Sequence, residues 1–289
     1  MDIPPRRSTR FAFTPVNQCI YCGAKEVLLA DEHIIPYSLG GLLELPKASC
    51  KACENITHRF EFTCARQIFG KFRIRHNMPT RRKKERPKSL VALAVGKNKE
   101  IKEVVLNAGE YPTELFLYRF RQANALFGMP SHVDTLDWTI SAINSHDEMV
   151  AFERKYGGQF ATTIRPQPIE FGRMLAKIGH SYATASLGLG SFRPLALEVI
   201  LGRSENISHT VGSHPDLEEP IVDAGHVLSL EYRVKPFQKE ALILVQIRLF
   251  ASLWTPTYHV VVGEVKDVEH VRVLLKQMQN ASEIEIVRD

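Results

Sequence analysis

The sequence predicts an α+β protein in which a short cysteine-rich unit precedes a larger α+β domain with an antiparallel C-terminal sheet. Two Cys-x-x-Cys pairs lie within the first sixty residues. From Phe171 to Tyr182, apolar residues recur three or four positions apart, as they do on one face of a helix. Three runs rich in Val, Ile, Leu and aromatic residues begin at His226, a pattern typical of an antiparallel meander.

The cysteine pairs, Cys19/Cys22 and Cys50/Cys53, predict a structural metal site. Four thiolates in two short pairs have the spacing of a tetrahedral Zn²⁺ site, in which each pair supplies two sulfurs from a tight turn. Two disulfides, or four unrelated thiols, are the alternative. The first ten residues, MDIPPRRSTR, lead into no apolar segment of the kind found in a secretory signal, and this context favours metal.

The segment between the pairs, DEHIIPYSLGG, contains Asp31, Glu32 and His33. The pattern from Cys19 to about Glu61 resembles the zinc-stapled branch of the HNH endonucleases. The matching sequences are CIYCG, then EHIIP followed by LGG, then CKAC leading into a helical pattern. The resemblance covers about forty-five residues. It implies a ββα-metal finger, in which a hairpin presents an acid–histidine pair and the following helix adds a further metal ligand.

The resemblance gives each residue of the acid–histidine pair an expected role. Hydrolysis of a DNA phosphodiester bond needs a base that deprotonates water and a cation that stabilises the departing 3′ oxygen. The resemblance implies that His33 is this base and that Glu32 binds a catalytic Mg²⁺ or Mn²⁺. An ordinary surface histidine is the alternative for His33. Adjacent side chains of a strand point to opposite faces, so the pair also requires a bend or bulge in the hairpin.

The sequence departs from the family pattern in two places. The family commonly has an Asn before the second cysteine pair that buttresses the hairpin, but GLLELPKASC contains none. The residue after the last cysteine is usually a metal-binding His or Asn, and here it is Glu54. On a helix, Glu54 and His58 would share one face, so either can supply the ligand. The alternative is a solvated helix start, whose dipole favours an acidic residue.

A cluster of positive charge follows the predicted finger. From Arg66 to Lys88 there are ten Lys or Arg residues and one acid, Glu85, so this segment carries +9, whereas the whole chain carries +5. We call this segment the basic belt. It is typical of a phosphate-binding surface, and a solvated linker is the alternative. Phe69 and Phe72 within the belt fit either a packed helix face or base stacking. DNA, with the duplex favoured, is the predicted partner, and the candidate nucleic-acid-binding residues are Arg73, Arg75, Arg81, Arg82, Lys83 and Lys84.

Length and composition place the rest of the chain. Its 289 residues, 44% hydrophobic and 24% charged, are typical of a soluble globular protein. A run of eighteen apolar residues, which would predict a membrane span, is absent from the sequence. Cys64, the fifth cysteine, is expected to be a buried thiol in a reducing cytoplasm. We predict a finger over residues 1–78, a basic connector over 79–88, and an α+β domain over 89–289 that serves regulation, partner binding or homodimer formation.

Local patterns predict the elements of the larger domain. Strands are expected in SLVALAV and EVVLNA, at Leu115–Tyr118, and in HVLSLEYRV, ALILVQIRLFASLW and YHVVVGEV, with TPT as the last turn. Helices are expected in HDEMVAFERKYG, from Pro168 to Gly188, in FRPLALEVILG with Pro194 in its first turn, and in VEHVRVLLKQM. His180, on the long helix, has no acid or cysteine partner at helical spacing, so we predict that it is packed rather than functional.

These patterns together favour a metal-dependent HNH-type endonuclease with one structural Zn²⁺ and one catalytic Mg²⁺ or Mn²⁺. HNH modules serve in restriction, phage defence and mobile elements, so a defence nuclease is the expected setting by analogy alone. The alternative class is a non-catalytic zinc-finger module that binds nucleic acid or protein.

Overall fold

The computed structural model describes residues 11–234 and 240–265, together with residues 269, 272, 273 and 276. The strands are β1 (Phe11–Ala12), β2 (Leu29–His33), β3 (Leu43–Cys50), β4 (Ser89–Val95), β5 (Ile101–Asn107), β6 (Glu114–Phe120), β7 (Trp138–Asn144), β8 (Gln159–Ala161), β9 (Arg193–Pro194), β10 (Val211–Glu218), β11 (Val227–Val234), β12 (Ala241–Arg248) and β13 (Thr255–Val265). The α-helices are α1 (Lys51–Thr63), α2 (Gly70–Arg75), α3 (His146–Tyr156), α4 (Pro168–Leu187) and α5 (Leu197–Ile200). The predicted α+β class is confirmed. The helix predicted in VEHVRVLLKQM lies mostly outside the described residues.

The N-terminal unit is a three-stranded sheet followed by a helix. Strand β3 lies between β1, which is parallel to it, and β2, which is antiparallel. Cys50 is both the last residue of β3 and the N-cap of α1. Helix α1 continues through a π-helical segment, Cys64–Ile68, towards α2. The strand–strand–helix order that the resemblance implied is therefore present.

Helix α4 lies at the centre of the molecule. It begins at Pro168 and ends before Gly188, as predicted, and it packs against α1 on one side and β10, β12 and β13 on the other. At Gly179 an added Cβ would lie 3.0 Å from side-chain carbons of Val260 and Val262, so a larger residue would require these side chains to shift where the helix approaches the sheet. His180 is buried, and its Nε2 lies 2.9 Å from the carbonyl oxygen of Ile20. The prediction of a packed histidine is confirmed.

The C-terminal sheet has the order β10–β13–β12–β11, with β9 added beside β13. The predicted meander is confirmed, but the strand predicted over ALILVQIRLFASLW ends at Arg248, because LFASLW forms the turn into β13. Two further details are wrong. Pro194 does not begin a helix, because β9 pairs with Gly263 and Glu264 of β13 and leaves only the four residues of α5 helical. The TPT sequence is not a turn, because β10 extends far enough to pair with Thr255 and so lengthens β13.

Two smaller sheets, β5–β4–β8 and β6–β7, contain the strands predicted in SLVALAV, EVVLNA and Leu115–Tyr118. Helix α3 forms where HDEMVAFERKYG predicted it. Its Phe152 packs with Ala92 of β4, Leu106 of β5 and the buried ring of Tyr111. This local core is separate from the main one.

The main core is continuous from the N-terminal unit to the C-terminal sheet. It includes Phe60 of α1, Met174 of α4 and Val260 of β13. Phe69 and Phe72 are buried in it, which decides between the two alternatives for these rings in favour of packing. Cys64 is buried too, as predicted. The domain boundaries at 78 and 88 stay predictions. Of the helices that the structure describes, none has the length and apolar character needed to cross a membrane.

Candidate active site and zinc centre

The four paired cysteines come together at one end of the hairpin. Their Sγ atoms all lie within 4.8 Å of one another, and the Sγ atoms of Cys22 and Cys50 are 3.6 Å apart. A tetrahedral zinc with Zn–S bonds of about 2.3 Å places its sulfurs roughly 3.8 Å apart, so the cluster has the dimensions of such a site. All five cysteines of the chain are free thiols. The disulfide alternative is therefore wrong.

Three of the four thiols have pKa values that differ from the ordinary value. Burial raises the pKa of Cys50, but hydrogen bonds from the Cys53 backbone and the neighbouring thiols outweigh it and lower that pKa to about 7. Burial raises the pKa of Cys19 and of Cys53. Holding four such sulfurs as thiolates requires a positive ion among them, because the negative charges otherwise repel each other at short range.

The hairpin contains a bulge on β3, but the bulge lies before the acid–histidine pair and not between Glu32 and His33, which pair in regular register with Leu45 and Glu44. Glu32 pairs with Leu45, but two residues earlier Ala30 pairs with Ser49, so three residues of β3 oppose the single residue Asp31. Within this bulge Lys47 has a φ of 49°, and its backbone N–H donates to Asp31 Oδ1 at 3.0 Å. Asp31 thus stabilises the hairpin in this chain. The family pattern instead has an Asn before the second cysteine pair.

The bulge aligns His33 with Glu44, its direct partner across the hairpin. Nδ1 of His33 lies 3.2 Å from Oε1 of Glu44, and both side chains are less than one-fifth exposed. The Tyr37 ring lies beside the imidazole, with 5.7 Å between the ring centroids. A carboxylate at Nδ1 stabilises the protonated imidazole and directs the other nitrogen, Nε2, away from Glu44. An imidazole placed in this way can accept a proton at Nε2.

Glu32 contacts a lysine from the C-terminal part of the chain. Nζ of Lys177, on α4, lies 2.6 Å from Glu32 Oε1 and 2.9 Å from Oε1 of Glu61 on α1. It also donates to the carbonyl oxygens of His33 and Ile34. Lys177 is completely buried, and Glu32 is 7% exposed. A fully buried ammonium therefore holds together the hairpin, α1 and α4.

The charges in this cluster depend on one another. Burial lowers the pKa of Lys177, but the two carboxylates outweigh burial and raise it, so the lysine stays charged. Burial raises the pKa of Glu32, although Lys177 opposes this rise. Glu32 would not be stable as a buried anion without the ammonium.

We expect the Lys177→Met variant to lose about 3–5 kcal/mol of its free energy of unfolding, because it leaves the buried Glu32 and the partly buried Glu61 without a counter-charge. The loss should be largest at pH 8 and smaller at pH 5. A carboxyl whose pKa is raised by folding takes up a proton at the lower pH and no longer needs a counter-ion. Chemical denaturation of both proteins at both pH values measures this difference.

Arg203→Met is the matched control, since the 3.0 Å ion pair between Arg203 and Glu198 is exposed on both sides. Its loss should cost less than about 1 kcal/mol. A Lys177→Met protein as stable as the wild type at pH 8 would show that this cluster does not stabilise the fold.

Helix α1 turns one face towards the acid–histidine pair. Glu54, His58 and Glu61 are on this face, as the predicted spacing requires for the first two. Glu54 pairs with Lys51 at 2.8 Å, and His58 is exposed beside Phe62. In the described part of the chain, the cysteine cluster is the one group of three or more His, Cys, Asp or Glu whose ligand atoms lie within 4.8 Å of one another. Glu32, Glu54 and His58 line one cleft without meeting that distance.

This cleft has a volume of about 780 Å³. Its lining includes Glu32, His33, the α1 face and part of the basic belt. The belt residues that line the cleft are Arg66, Lys71, Arg73, Arg81, Arg82 and Arg86. The cleft therefore brings the predicted catalytic residues and positive charge to one place.

The six candidate DNA-binding residues of the belt fall into two groups. The Arg73 guanidinium donates to three backbone carbonyls, those of Ser38, Ala65 and Pro79, and Arg75 pairs with Glu148 at 3.1 Å. These two arginines hold the fold. The other four side chains are exposed at or near the cleft rim, and they are Arg81, Arg82, Lys83 and Lys84.

One known sequence pattern covers the paired cysteines, the acid–histidine hairpin and all of α1. The family model for HNH endonucleases matches residues 19–67. The predicted resemblance of the N-terminal part is confirmed, and the HNH domain indicates a nuclease-type function with a candidate zinc site. Comparisons with curated proteins and with solved structures find no match.

Three residues of the site were missed by sequence reasoning. Glu44 could have been found only with the register of the hairpin, which the bulge at Lys47 sets. Glu61 lies seven residues after Glu54 on α1 and could have been found from helical spacing. Lys177 is 144 residues from His33. Its one signal is a lysine within the otherwise apolar run MLAKIG of α4.

Proposed function

We propose that the chain is a metal-dependent HNH-type endonuclease that hydrolyses DNA phosphodiester bonds in the cleft. The observation that carries this proposal is that His33, whose Nδ1 lies 3.2 Å from Glu44, lines a cleft that arginines and a lysine of the basic belt also line. The segment that holds this pair is the one that matches the HNH model. A role in restriction or phage defence extends the proposal by analogy alone.

His33 would take a proton from the attacking water. Glu44, at Nδ1, would orient the ring and stabilise the imidazolium that results. The exposed arginines and lysines of the belt would bind phosphates on either side of the cleaved bond.

The donors in the cleft suit a hard divalent ion. Carboxylates and an imidazole are ligands that Mg²⁺ and Mn²⁺ accept, and Glu32 with Glu54 or His58 would hold the ion. When bound, it would supply positive charge for the departing 3′ oxygen. Lys177 occupies one oxygen of Glu32, so the carboxylate would be shared between the lysine and the ion.

One observation favours a second candidate function. Glu32 is already neutralised by Lys177, and the α1 donors do not converge on it within 4.8 Å. A zinc-stapled module that binds nucleic acid or protein without cleaving it would need no more than this arrangement.

Conversion of supercoiled plasmid to open circles separates the two functions. The wild-type protein should nick the plasmid with Mg²⁺ or Mn²⁺ and should stop when the divalent ion is omitted, with its zinc content unchanged. Plasmid that stays supercoiled with either ion, while still shifting on a gel with the protein, would assign the binding module instead.

The Glu44→Gln variant should lose roughly 10–100-fold in nicking rate, the range expected when a group that orients a functional histidine is changed. The glutamine keeps the size of the side chain, but its amide no longer stabilises a positive imidazole. Initial rates at matched protein concentration measure the loss. Glu103→Gln is a control, since Glu103 is an exposed acid on β5 that does not line the cleft. If Glu44→Gln nicks plasmid at the wild-type rate, Glu44 has no role in the mechanism.

Reversal of the four exposed belt charges to Glu should weaken binding to all DNA sequences alike. Each phosphate that a Lys or Arg neutralises contributes about −0.9 to the slope of log affinity against log salt, so the slope should flatten by up to ~3–4 units. The variant replaces Arg81, Arg82, Lys83 and Lys84 with Glu. Its affinity for DNA, measured from low to moderate salt, gives this slope.

A matched control reverses four exposed lysines that do not line the cleft: Lys97, Lys99, Lys102 and Lys155. This control should keep a slope close to that of the wild type. If the belt variant also keeps the wild-type slope, the belt is a solvated linker and the finger alone binds DNA.

A further inference from the structure

Three side chains on α1 and its continuation form an exposed row along the cleft. They are His58, Phe62 and Arg66, each one helical turn after the last, and all three line the cleft. The ring centroids of His58 and Phe62 are 6.0 Å apart, and the Arg66 guanidinium carbon lies 5.1 Å from the Phe62 centroid. The Phe62 side chain is still 50% exposed.

An exposed phenylalanine alone indicates nothing, because single apolar side chains are common on protein surfaces. The surroundings of Phe62 make it different from the exposed Phe127, which does not line the cleft. Phe62 lies between an imidazole and a guanidinium, and both of these planar groups stack on nucleobases. The rim of the same cleft presents Arg81 and Arg82 for the phosphates.

We propose that an unpaired nucleobase of the substrate stacks on Phe62, with Arg66 and His58 beside it. This inference rests on the proposed function and narrows its substrate class. A base inside an intact duplex has both faces covered by its neighbours, so it cannot reach the ring without being unstacked. The cleft therefore takes single-stranded DNA, or a duplex that has an extrahelical base, in preference to a fully paired duplex.

Binding of three oligonucleotides to the full-length protein, without added divalent ion, tests this assignment. They are a single strand, the same strand fully paired, and a duplex with one extrahelical base. The wild type should bind the first and third more tightly than the second. Phe62→Ala should weaken binding of those two by about 5- to 150-fold, the range for loss of one stacked base, and should leave the paired duplex unaffected. Phe127→Ala is the matched control and should bind all three like the wild type.

A second variant reports on stacking directly and does not depend on affinity. Phe62→Trp should restore binding, and its indole emission should fall when the single strand or the extrahelical duplex is added. The signal of Trp138 and Trp254 is subtracted with the wild type. Phe127→Trp should show no such fall. Wild-type affinity of Phe62→Ala for all three DNAs, or an unchanged emission of bound Phe62→Trp, would overturn the assignment.

These results are separable from those of the nicking assay. If the wild type nicks plasmid but Phe62→Ala binds normally, the stacking site fails and the endonuclease proposal stands. If plasmid is never nicked but binding to unpaired bases depends on Phe62, the endonuclease proposal fails and the stacking site stands. Absence of all DNA binding by the wild type would overturn both.

Discussion

The Cys50→Ser variant is expected to lose its zinc and, with the zinc, the fold of the N-terminal unit. Cys50 ends β3 and begins α1, so its sulfur ties the hairpin to the helix at the point where the chain changes direction. Structural zinc contributes an apparent binding energy of about 10–16 kcal/mol in small zinc-finger peptides. That is comparable to the whole stability of an ordinary domain, about 5–15 kcal/mol. Serine leaves three thiolates that cannot complete the tetrahedral site.

Loss of the zinc should also destabilise the rest of the protein, because the core of the finger is continuous with α4 and the C-terminal sheet. Zinc content by mass spectrometry and thermal unfolding by circular dichroism measure the two effects together. Cys64→Ser is the matched control: Cys64 is buried in the same unit but lies outside the cysteine cluster, so this variant should keep its zinc. Folded wild-type protein that contains no zinc would contradict the assignment of the cluster.

The His33→Ala variant should lose roughly 10²–10⁴-fold in cleavage rate, the range for removal of a general base. Its zinc content and melting temperature should stay close to those of the wild type. His33 lines the cleft with 18% of its side chain exposed, and it is not part of the cysteine cluster. The comparison uses single-turnover nicking rates at equal zinc content.

His132→Ala is a suitable control, because His132 is an exposed histidine that does not line the cleft. It should cleave at the wild-type rate. A His33→Ala protein that cleaves as fast as the wild type would place the general base elsewhere in the chain.

The parts of the fold that the sequence predicted correctly are those set by neighbouring residues. Paired spacing at Cys19/Cys22 and Cys50/Cys53 is local, and so is the helical period from Phe171 to Tyr182. Both patterns are present in the folded chain, although α4 is buried on nearly all sides from Met174 to Thr184 and not only on its apolar face. Val227–Val234 alternates in the same local way and forms β11.

The parts that sequence reasoning missed depend on contacts between distant residues. Pro194 can begin a helix, but pairing of β9 with β13 overrides this preference. Lys177 has no local pattern that places its ammonium on Glu32, since the contact exists only after α4 packs against α1. In the belt, Arg73 has the charge of a phosphate ligand, but three carbonyl oxygens already occupy its guanidinium.

The residues of the candidate site also differ in whether a local sequence pattern or a distant contact identifies them. His33 could be chosen from the sequence because its neighbours EHIIP and LGG carry the family resemblance. Glu44 could not, because its position opposite His33 depends on the bulge that Lys47 and Asp31 form. Among the aromatic residues, the sequence marked Phe69 and Phe72 of the belt as candidates for base stacking. The exposed ring in the cleft is Phe62, which precedes the belt.

Resealing of nicked circles by a DNA ligase tests the proposed hydrolysis most directly. Attack of water activated by His33, with departure of the 3′ oxygen, leaves a 3′-hydroxyl and a 5′-phosphate. These are the ends that a ligase joins. Plasmid nicked by the wild type with Mg²⁺ or Mn²⁺ should therefore be resealed to covalently closed circles. Nicks that the ligase cannot close, or plasmid that is never nicked with either ion, would contradict an endonuclease that acts through His33.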